Sequence, residues 1–523
     1  MSSLGASQAR RHWAAVGLAV LLWAGFMVWL QSARFDAGFH YEYEDDALAH
    51  QSLWSIPNGT FPANTIHPLH RPSHLEPVLF VLWPLYAGLA ALWGAWGALW
   101  TLKALVLGSG ALAVFGLARR EGLSLGASLA WPAAYLAGPA TIGLVLSTFR
   151  PVALAAAPLL FLLWAFRARR FGAFVALLLL TLSFREDLAL ALVPLAAVAL
   201  WRRMPHRFAI AALFIPVTWF LVATQWLLPF ILPARYEDIV FGANVGPSLL
   251  ARALDPTHWV AILAVLLPTL GLSLLAPEAA IGLASAAAVL VFKGGFAGNL
   301  MHFIAPLTAA GYGGAVIGHA WLQTRSPRAS ERLAWAALAL TLLVHVTPTG
   351  LAVVATDCAH NGQANAPGLC EAWSPFSTWF RTGDAGQGVR VAAAAQVPVG
   401  DSVAVVGHLL PLFTPRRTLW EYGHADVPFA TADWIVLEGV DRYAGAGRYL
   451  ALGEVDVSKH LRLLARGYEV AWSDGGVVVL KRSAEAVGLT DEVRKLLPKR
   501  EVGPELRRGV RSPGTSTSNK RGT

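Results

Sequence analysis

Long apolar runs, separated by short basic or mixed polar clusters, organise the first two thirds of this chain. A membrane-crossing helix needs roughly 20 mostly apolar residues, somewhat fewer inside a bundle. Runs of this kind fall at 13–31, 99–118, 126–146, 151–166, 171–185, 187–201, 208–232, 258–275, 279–293, 303–321 and 333–354. Another run, 77–97, follows the polar stretch after the first helix. Beyond 354 the period changes. SVAVVGHLL, DWIVLEG, YEVAWSD and GVVVLKR read as short strands and VDVSKHLRLLARG as a helix, which predicts a small α/β domain over 355–482. The basic, polar segment 483–523 reads as a disordered tail. Residues 1–354 are then a transmembrane bundle whose first extracytoplasmic loop is 32–98. The first apolar run follows a basic start, as in a signal peptide, but it ends in FMVWLQSARF with no small-residue cleavage site, so it reads as a retained helix.

The run 77–97 decides the threading. If it crosses the bilayer, Arg119-Arg120 falls outside and every later basic cluster is inverted. If it is a juxtamembrane or re-entrant element, Arg10-Arg11, Arg119-Arg120, Arg167 to Arg170, Arg202-Arg203-His206-Arg207 and Arg325 to Arg332 all lie in the cytoplasm. The positive-inside rule selects the second arrangement. It predicts an all-α polytopic membrane bundle of about eleven spans in the bacterial inner membrane, with the N-terminus cytoplasmic and the α/β domain periplasmic.

Composition agrees: 55% of residues are hydrophobic, 14% are charged and the mean hydropathy is +0.51. A soluble domain carries about 25% charged residues. The net charge of +9 comes from groups at helix ends, which anchor loops rather than mark a nucleic-acid partner. The two cysteines, Cys358 and Cys370, share one polar stretch without metal-ligand spacing, and a periplasmic domain would permit them to pair.

With this threading the ionisable residues gather at one mouth of the bundle rather than along a path across it. Lys103 also lies near the outer end of its helix. Charges at membrane depth are costly and usually functional. Asp45 and Asp46, just past the first helix, can act as a general base or hold a divalent metal such as Mg or Mn against a phosphate. A solvated acidic loop is the alternative. His74 and Glu76 can line a site or cap the 77–97 element. Arg150 can recognise a phosphate with its planar fork, or simply snorkel. Arg185, Glu186 and Asp187 interrupt the apolar stretch 171–201, where a plain turn would use Gly, Asn, Ser or Pro. They read as a polar cluster facing the interior. His302, with Lys293 nearby, completes the ring, although a lone His at a helix end is more often structural.

These boxes resemble the bacterial and archaeal membrane-protein family known as domain of unknown function 2079 (DUF2079). The resemblance rests on Asp45 through Gln51-Ser52-Leu53-Trp54 to Asn58-Gly59, on His74-Leu75-Glu76-Pro77, on Arg185-Glu186-Asp187, on His302-Phe303, and on the segments Val397–Arg416 and Gly467–Arg482. The family is similar to GT-C type glycosyltransferases, multi-helix enzymes that take sugar from a polyprenyl-phosphate donor and carry an acidic residue in the first extracytoplasmic loop. The resemblance implies transfer of a sugar to an acceptor, which the sequence leaves open, at the periplasmic face. Asp45 would be the base or metal ligand with Asp46 assisting. Arg150 and Arg185 would hold the lipid phosphate, and His50, Gln51, His74, Glu76, Glu186, Asp187 and His302 would shape the substrate site. Two positions depart from the family: His50 stands where relatives carry Asp, and Phe149-Arg150-Pro151 replaces Phe-His-Pro. The alternative is a non-enzymatic membrane protein, a transporter or an envelope assembly factor. Polar residues at one mouth disfavour transport, which needs a midplane site, and leave the scaffold role open.

Overall fold

A computed structural model describes residues 3–36, 44–59, 65–66, 74–231, 259, 262–263, 265–291, 304–346, 387–414, 416–422, 432–438 and 467–483. The bundle begins with α1 (Ser3–Asp36), α2 (Glu44–Ser55) and α3 (Val78–Arg120). Then come α4 (Leu125–Ala137), α5 (Pro139–Leu146), α6 (Pro151–Leu154), α7 (Ala156–Arg167) and α8 (Phe171–Leu182). They are followed by α9 (Leu188–Leu192), α10 (Pro194–Trp201) and α11 (His206–Val222). Among the described residues three helices, 7–33, 78–120 and 206–230, are long and apolar enough to cross a membrane, and α4 with α5 forms a fourth candidate bent by 41°. The bend sits at Gly138-Pro139, and Pro194 likewise separates α9 from α10, because proline cannot donate the helical hydrogen bond. The helix expected over 258–275 is not continuous. Leu270 and Gly271 take left-handed φ of 52° and 64°, and short 3-10 turns, Leu272–Leu275 and Pro277–Gly282, follow. Pro268, Gly271 and Pro277 within ten residues explain the interruption.

The contacts fix which ends lie together. α1 runs antiparallel to the second part of α3: Trp13 packs edge-to-face with Phe115, ring centroids 4.8 Å apart, and Phe35 packs at a tilt on Trp96 at 5.3 Å. Arg10-Arg11 and Arg119-Arg120 therefore share one end of the bundle. Arg167, closing α7, donates to Glu121 (2.8 and 2.6 Å) and to Glu278 (3.0 Å), and Arg202, after α10, donates to Glu278 at 3.0 and 2.9 Å. Four basic clusters thus converge on a basic end, and buried Glu278 staples two of them. Arg169 and Arg203 hold φ of 56° and 49°. Backbone bonds from Arg170 to Ala165 and from Met204 to Ala199 close these helix ends, which lets the chain reverse within a few residues.

α3 is broken at Gly94, whose φ of 73° and ψ of 171° are non-helical. The arm 78–93 starts with the Val78 N–H on the Ser183 carbonyl at 2.9 Å, in the turn after α8 has returned from the basic end. It finishes beside Phe35 and Trp96. Both tips of the arm therefore touch the end opposite the basic clusters. Its roughly 24 Å of helix lies along that face.

The C-terminal sheet has the order β2-β1-β3-β5-β4. Its strands are β1 (Val403–Val405), β2 (Leu419–Glu421), β3 (Trp434–Glu438), β4 (Tyr468–Asp474) and β5 (Val477–Arg482). β1 pairs in parallel with β2 and β3, while β5 pairs antiparallel with β3 and β4. The four strand-like runs of the sequence fall on β1, β3, β4 and β5. Edge strand β2 is covered by the first loop: the Glu421 N–H donates to Ile66 O at 3.2 Å, and the Thr65 hydroxyl bridges the Leu419 N–H and carbonyl at 2.9 and 3.0 Å. Ala47 and Ile66 enter the core of this domain. Gln387, opening the helix Gln387–Ala395, donates to Phe35 O at 3.4 Å. Arg390 of that helix binds Glu438 at the carboxyl end of β3 at 2.7 Å. The carboxyl ends of the parallel strands accordingly face the bundle. His302, Lys293, Cys358, Cys370, the segments 233–257 and 455–466 and the tail lie outside the described residues.

Candidate functional site at the polar end of the bundle

α2 opens with Glu44, Asp45 and Asp46, where carboxylates favour the helix N-terminus. The Asp45 side chain lies outside the described residues. Asp46 is fully buried, and its Oδ1 accepts the Phe149 N–H. That N–H belongs to the strap 147–150, which joins α5 to α6. Ser147 has φ −67° and ψ 169°, and Arg150 has φ −125° and ψ 124°. Pro151 keeps the residue before it extended, so the strap cannot continue a helix. On its other flank Lys103, also fully buried, donates from Nζ to the Ser147 carbonyl at 2.5 Å. A carboxylate and an ammonium from two different helices thus hold the segment that presents Arg150.

A second polar group sits under the start of the arm. Glu186 is fully buried, with Oε1 2.7 Å from His74 Nδ1 and Oε2 accepting the Leu75 N–H at 2.9 Å. Arg185, 3% exposed, forks onto both oxygens of Asp187, with Nε–Oδ1 at 2.6 Å. Glu76 and Glu186 add negative charge around that guanidinium. The two groups lie under different parts of the arm. One docks Val78; the other shares α2 with His50, whose ring packs on Tyr86, about 12 Å along the helix from Val78.

His50 and Gln51 link these layers. The His50 ring packs edge-on against Tyr86 and Trp96, with centroids 5.8 and 5.6 Å apart. Burial pushes its pKa from 6.5 down to about 4, so the imidazole is neutral at neutral pH. Gln51 donates to Thr65 Oγ1 at 2.7 Å and to Arg416 O at 3.2 Å, and accepts the Thr65 N–H at 3.1 Å. Its amide ties α2 to the first loop and to the C-terminal domain.

Above all this, the arm buries Val78, Leu79, Leu82 and Tyr86 and exposes Phe80, Val81, Leu85, Leu92 and Trp93. Among the described residues no group of three His, Cys, Asp or Glu side chains is placed to hold a metal ion. Lys103 was visible in the sequence as a lone cation near a helix mouth; its pairing with the strap was not, because residues 103 and 147 meet only in the fold. The arrangement offers buried carboxylates and cations beside a half-buried arginine, next to a helix whose outer surface suits lipid tails.

Fold and site together define a polytopic helical membrane protein with a roofed polar mouth and a docked α/β domain. The chain belongs to the family described as "Predicted membrane protein (DUF2079)", whose pattern matches residues 27–479. Solved structures similar to it include ArnT from Cupriavidus metallidurans in the apo state, at 14% identity and a TM-score of 0.45, covering 89% of this chain and 99% of that one. ArnT from Cupriavidus metallidurans bound to undecaprenyl phosphate is similar at 16% identity and a TM-score of 0.47, covering 90% and 99%. No curated protein matches the chain.

Proposed function

We propose that this protein transfers a sugar from a polyprenyl-phosphate donor to an acceptor at the outer face of the bacterial inner membrane. The GT-C resemblance of its sequence motivates the reading. One arrangement carries it: the strap 147–150, which bears half-buried Arg150, is held by buried Lys103 and by buried Asp46 of α2, and the same helix packs His50 on Tyr86 of an arm whose outer face is apolar. In this reading the polyprenyl chain stays in lipid along Phe80, Val81 and Leu85. Its phosphate is met by the Arg150 fork, with Lys103 adding positive charge. The acceptor oxygen bonds to the anomeric carbon as the bond from that carbon to the phosphate oxygen breaks. The acceptor proton passes to Asp45, while Asp46 assists by holding the strap, and polyprenyl phosphate leaves. Such a base contributes about 10²–10⁴ in rate. Arg185 and Glu186 act indirectly by docking the arm, since Asp187, His74 and Leu75 engage them. Proteoliposomes given a radiolabelled polyprenyl-phosphate sugar test the reading. Arg150→Ala should lose donor binding, and Asp45→Asn, which removes a base and little volume, should lose transfer while staying folded.

A non-enzymatic scaffold is the second reading. The observation favouring it is that Glu186, Arg185 and Gln51 are bonded within the protein, as purely structural groups would be. Donor binding unchanged by Arg150→Ala would give this reading the lead.

A further inference from the structure

We propose that the C-terminal domain carries a binding cleft for a neutral, hydroxyl-rich glycan at the amino ends of its parallel strands. The cleft measures about 450 Å³ and is lined by Asp401, Asp433, Trp434, Lys481, Arg482 and Ser483. It lies at the amino ends of β1 and β3 and the carboxyl end of β5, where the Arg482 N–H donates to Asp433 O at 2.8 Å. The opposite end of β3, at Glu438, is held by Arg390 of the helix that reaches Phe35. Strand β5 runs between the two, from Val477 opposite Glu438 to Lys481 opposite Trp434. The cleft is therefore displaced from the Glu438 end by about 13 Å of strand, and none of its lining residues belongs to the site under the arm.

Both carboxylates are oriented in advance. Asp433 Oδ2 accepts the Ser402 N–H at 3.0 Å and the Ser402 hydroxyl at 2.6 Å. Asp401 Oδ2 accepts the Trp434 indole N–H at 2.8 Å. Each acid is held through one oxygen, and its Oδ1 has no hydrogen-bond partner among the described residues. Lys481 rests over the Trp434 ring, 5.4 Å from its centroid, and makes no ion pair among the described residues. Side chains held by packing and hydrogen bonds are what a recognition site needs.

The charge pattern selects the ligand class. Carboxylates and cations stand side by side in the lining, so a ligand that is only an anion or only a cation meets like charge as well as opposite charge. Lys481 and Arg482 beside the acids disfavour a bare metal ion. A sugar diol suits the mixture, because each hydroxyl can donate to a carboxylate and accept from an ammonium or guanidinium. Trp434 is 7% exposed, so its ring serves as a rigid wall and recognition rests on hydrogen bonds.

The inference does not depend on sugar transfer, and its test reads binding alone. The full-length protein in lipid nanodiscs, free of sugar-based detergent, is applied to an array of neutral, acidic and amino-bearing oligosaccharides. Neutral oligosaccharides should bind. The double variant Asp401→Asn/Asp433→Asn should weaken that binding about tenfold or more, and Lys481→Ala, at an exposed position, should also weaken it without changing the melting temperature. Retention of acidic or amino-bearing glycans alone, no retention of any glycan, or equal binding by folded variants would each overturn the proposal.

Discussion

Replacing Gly94 by alanine separates backbone strain from crowding, because a Cβ added there meets no atom within 4 Å. The whole cost lies in its φ of 73° and ψ of 171°. Residues forced into such sparsely populated regions cost about 1–3 kcal/mol. The chain cannot escape by straightening. A continuous helix over all 43 residues of α3 would be about 64 Å long, twice a hydrocarbon core. It would also pull Val78 off Ser183 and His74 off Glu186. The strain therefore loads the arm, and about 2 kcal/mol corresponds to roughly 30-fold faster opening. Gly88 supplies the control. It lies in the same arm, its added Cβ also meets nothing within 4 Å, and its backbone is helical. Gly88→Ala should stabilise the arm by about 0.5–1 kcal/mol. Hydrogen exchange read by mass spectrometry on peptides from 78–93, in nanodiscs, measures both variants, with the helix Ile304–Gln323 as internal reference. Gly94→Ala should accelerate exchange in the arm and Gly88→Ala should slow it. Equal behaviour of the two variants would refute the break at Gly94 and the placement of the arm along one face.

Three further outcomes are expected. His50 is neutral in the fold, so its contribution is complete above about pH 6.5 and is lost as pH falls towards about 4. About 2 kcal/mol should be gone at pH 5, and His50→Phe should flatten that part of the stability profile in thermal unfolding. Glu278→Leu leaves Arg167 and Arg202 partly buried without their shared carboxylate, at a cost on the order of 3 kcal/mol; exchange should rise at the basic end and stay unchanged in the arm. A reporter active only in the cytoplasm should give signal when fused after residue 120 and none after residue 360; signal at 360 would reverse the orientation.

The grouping of Arg10-Arg11 with Arg119-Arg120 was legible because charge decides it. Treating 77–97 as a crossing would have put Arg119-Arg120 at the wrong end, and the Trp13–Phe115 and Phe35–Trp96 contacts put the ends where the charges require. The residue that makes the arm possible was not legible. Gly88, Gly94 and Gly97 look alike in sequence, and only the path of the chain shows which must leave the helical region. Strand β2 was missed because Leu419-Trp420-Glu421 is too short to establish a period. The roles of single side chains depended on distance in sequence. Arg185 and Asp187 are two residues apart, so their pairing could have been suspected locally. Asp46 with Phe149, and Gln51 with Arg416, meet across hundreds of intervening atoms and leave no local trace. His50 reads as a polar departure from the family pattern, yet the fold seals it among aromatic rings.

The bond between Ile66 and edge strand β2 carries a consequence for biosynthesis. An exposed strand edge is a template for pairing with another chain. Here the segment that shields it is made some 350 residues before the strand it shields, judging from the positions of Thr65 and Leu419. When β2 leaves the ribosome its partner has already been made, so this domain completes itself on the first loop. The same arrangement makes the C-terminal domain a poor candidate for life on its own. Excised from the bundle it would display a naked edge and lack Ala47 and Ile66 from its core, and self-association through β2 would be the natural fate of the fragment.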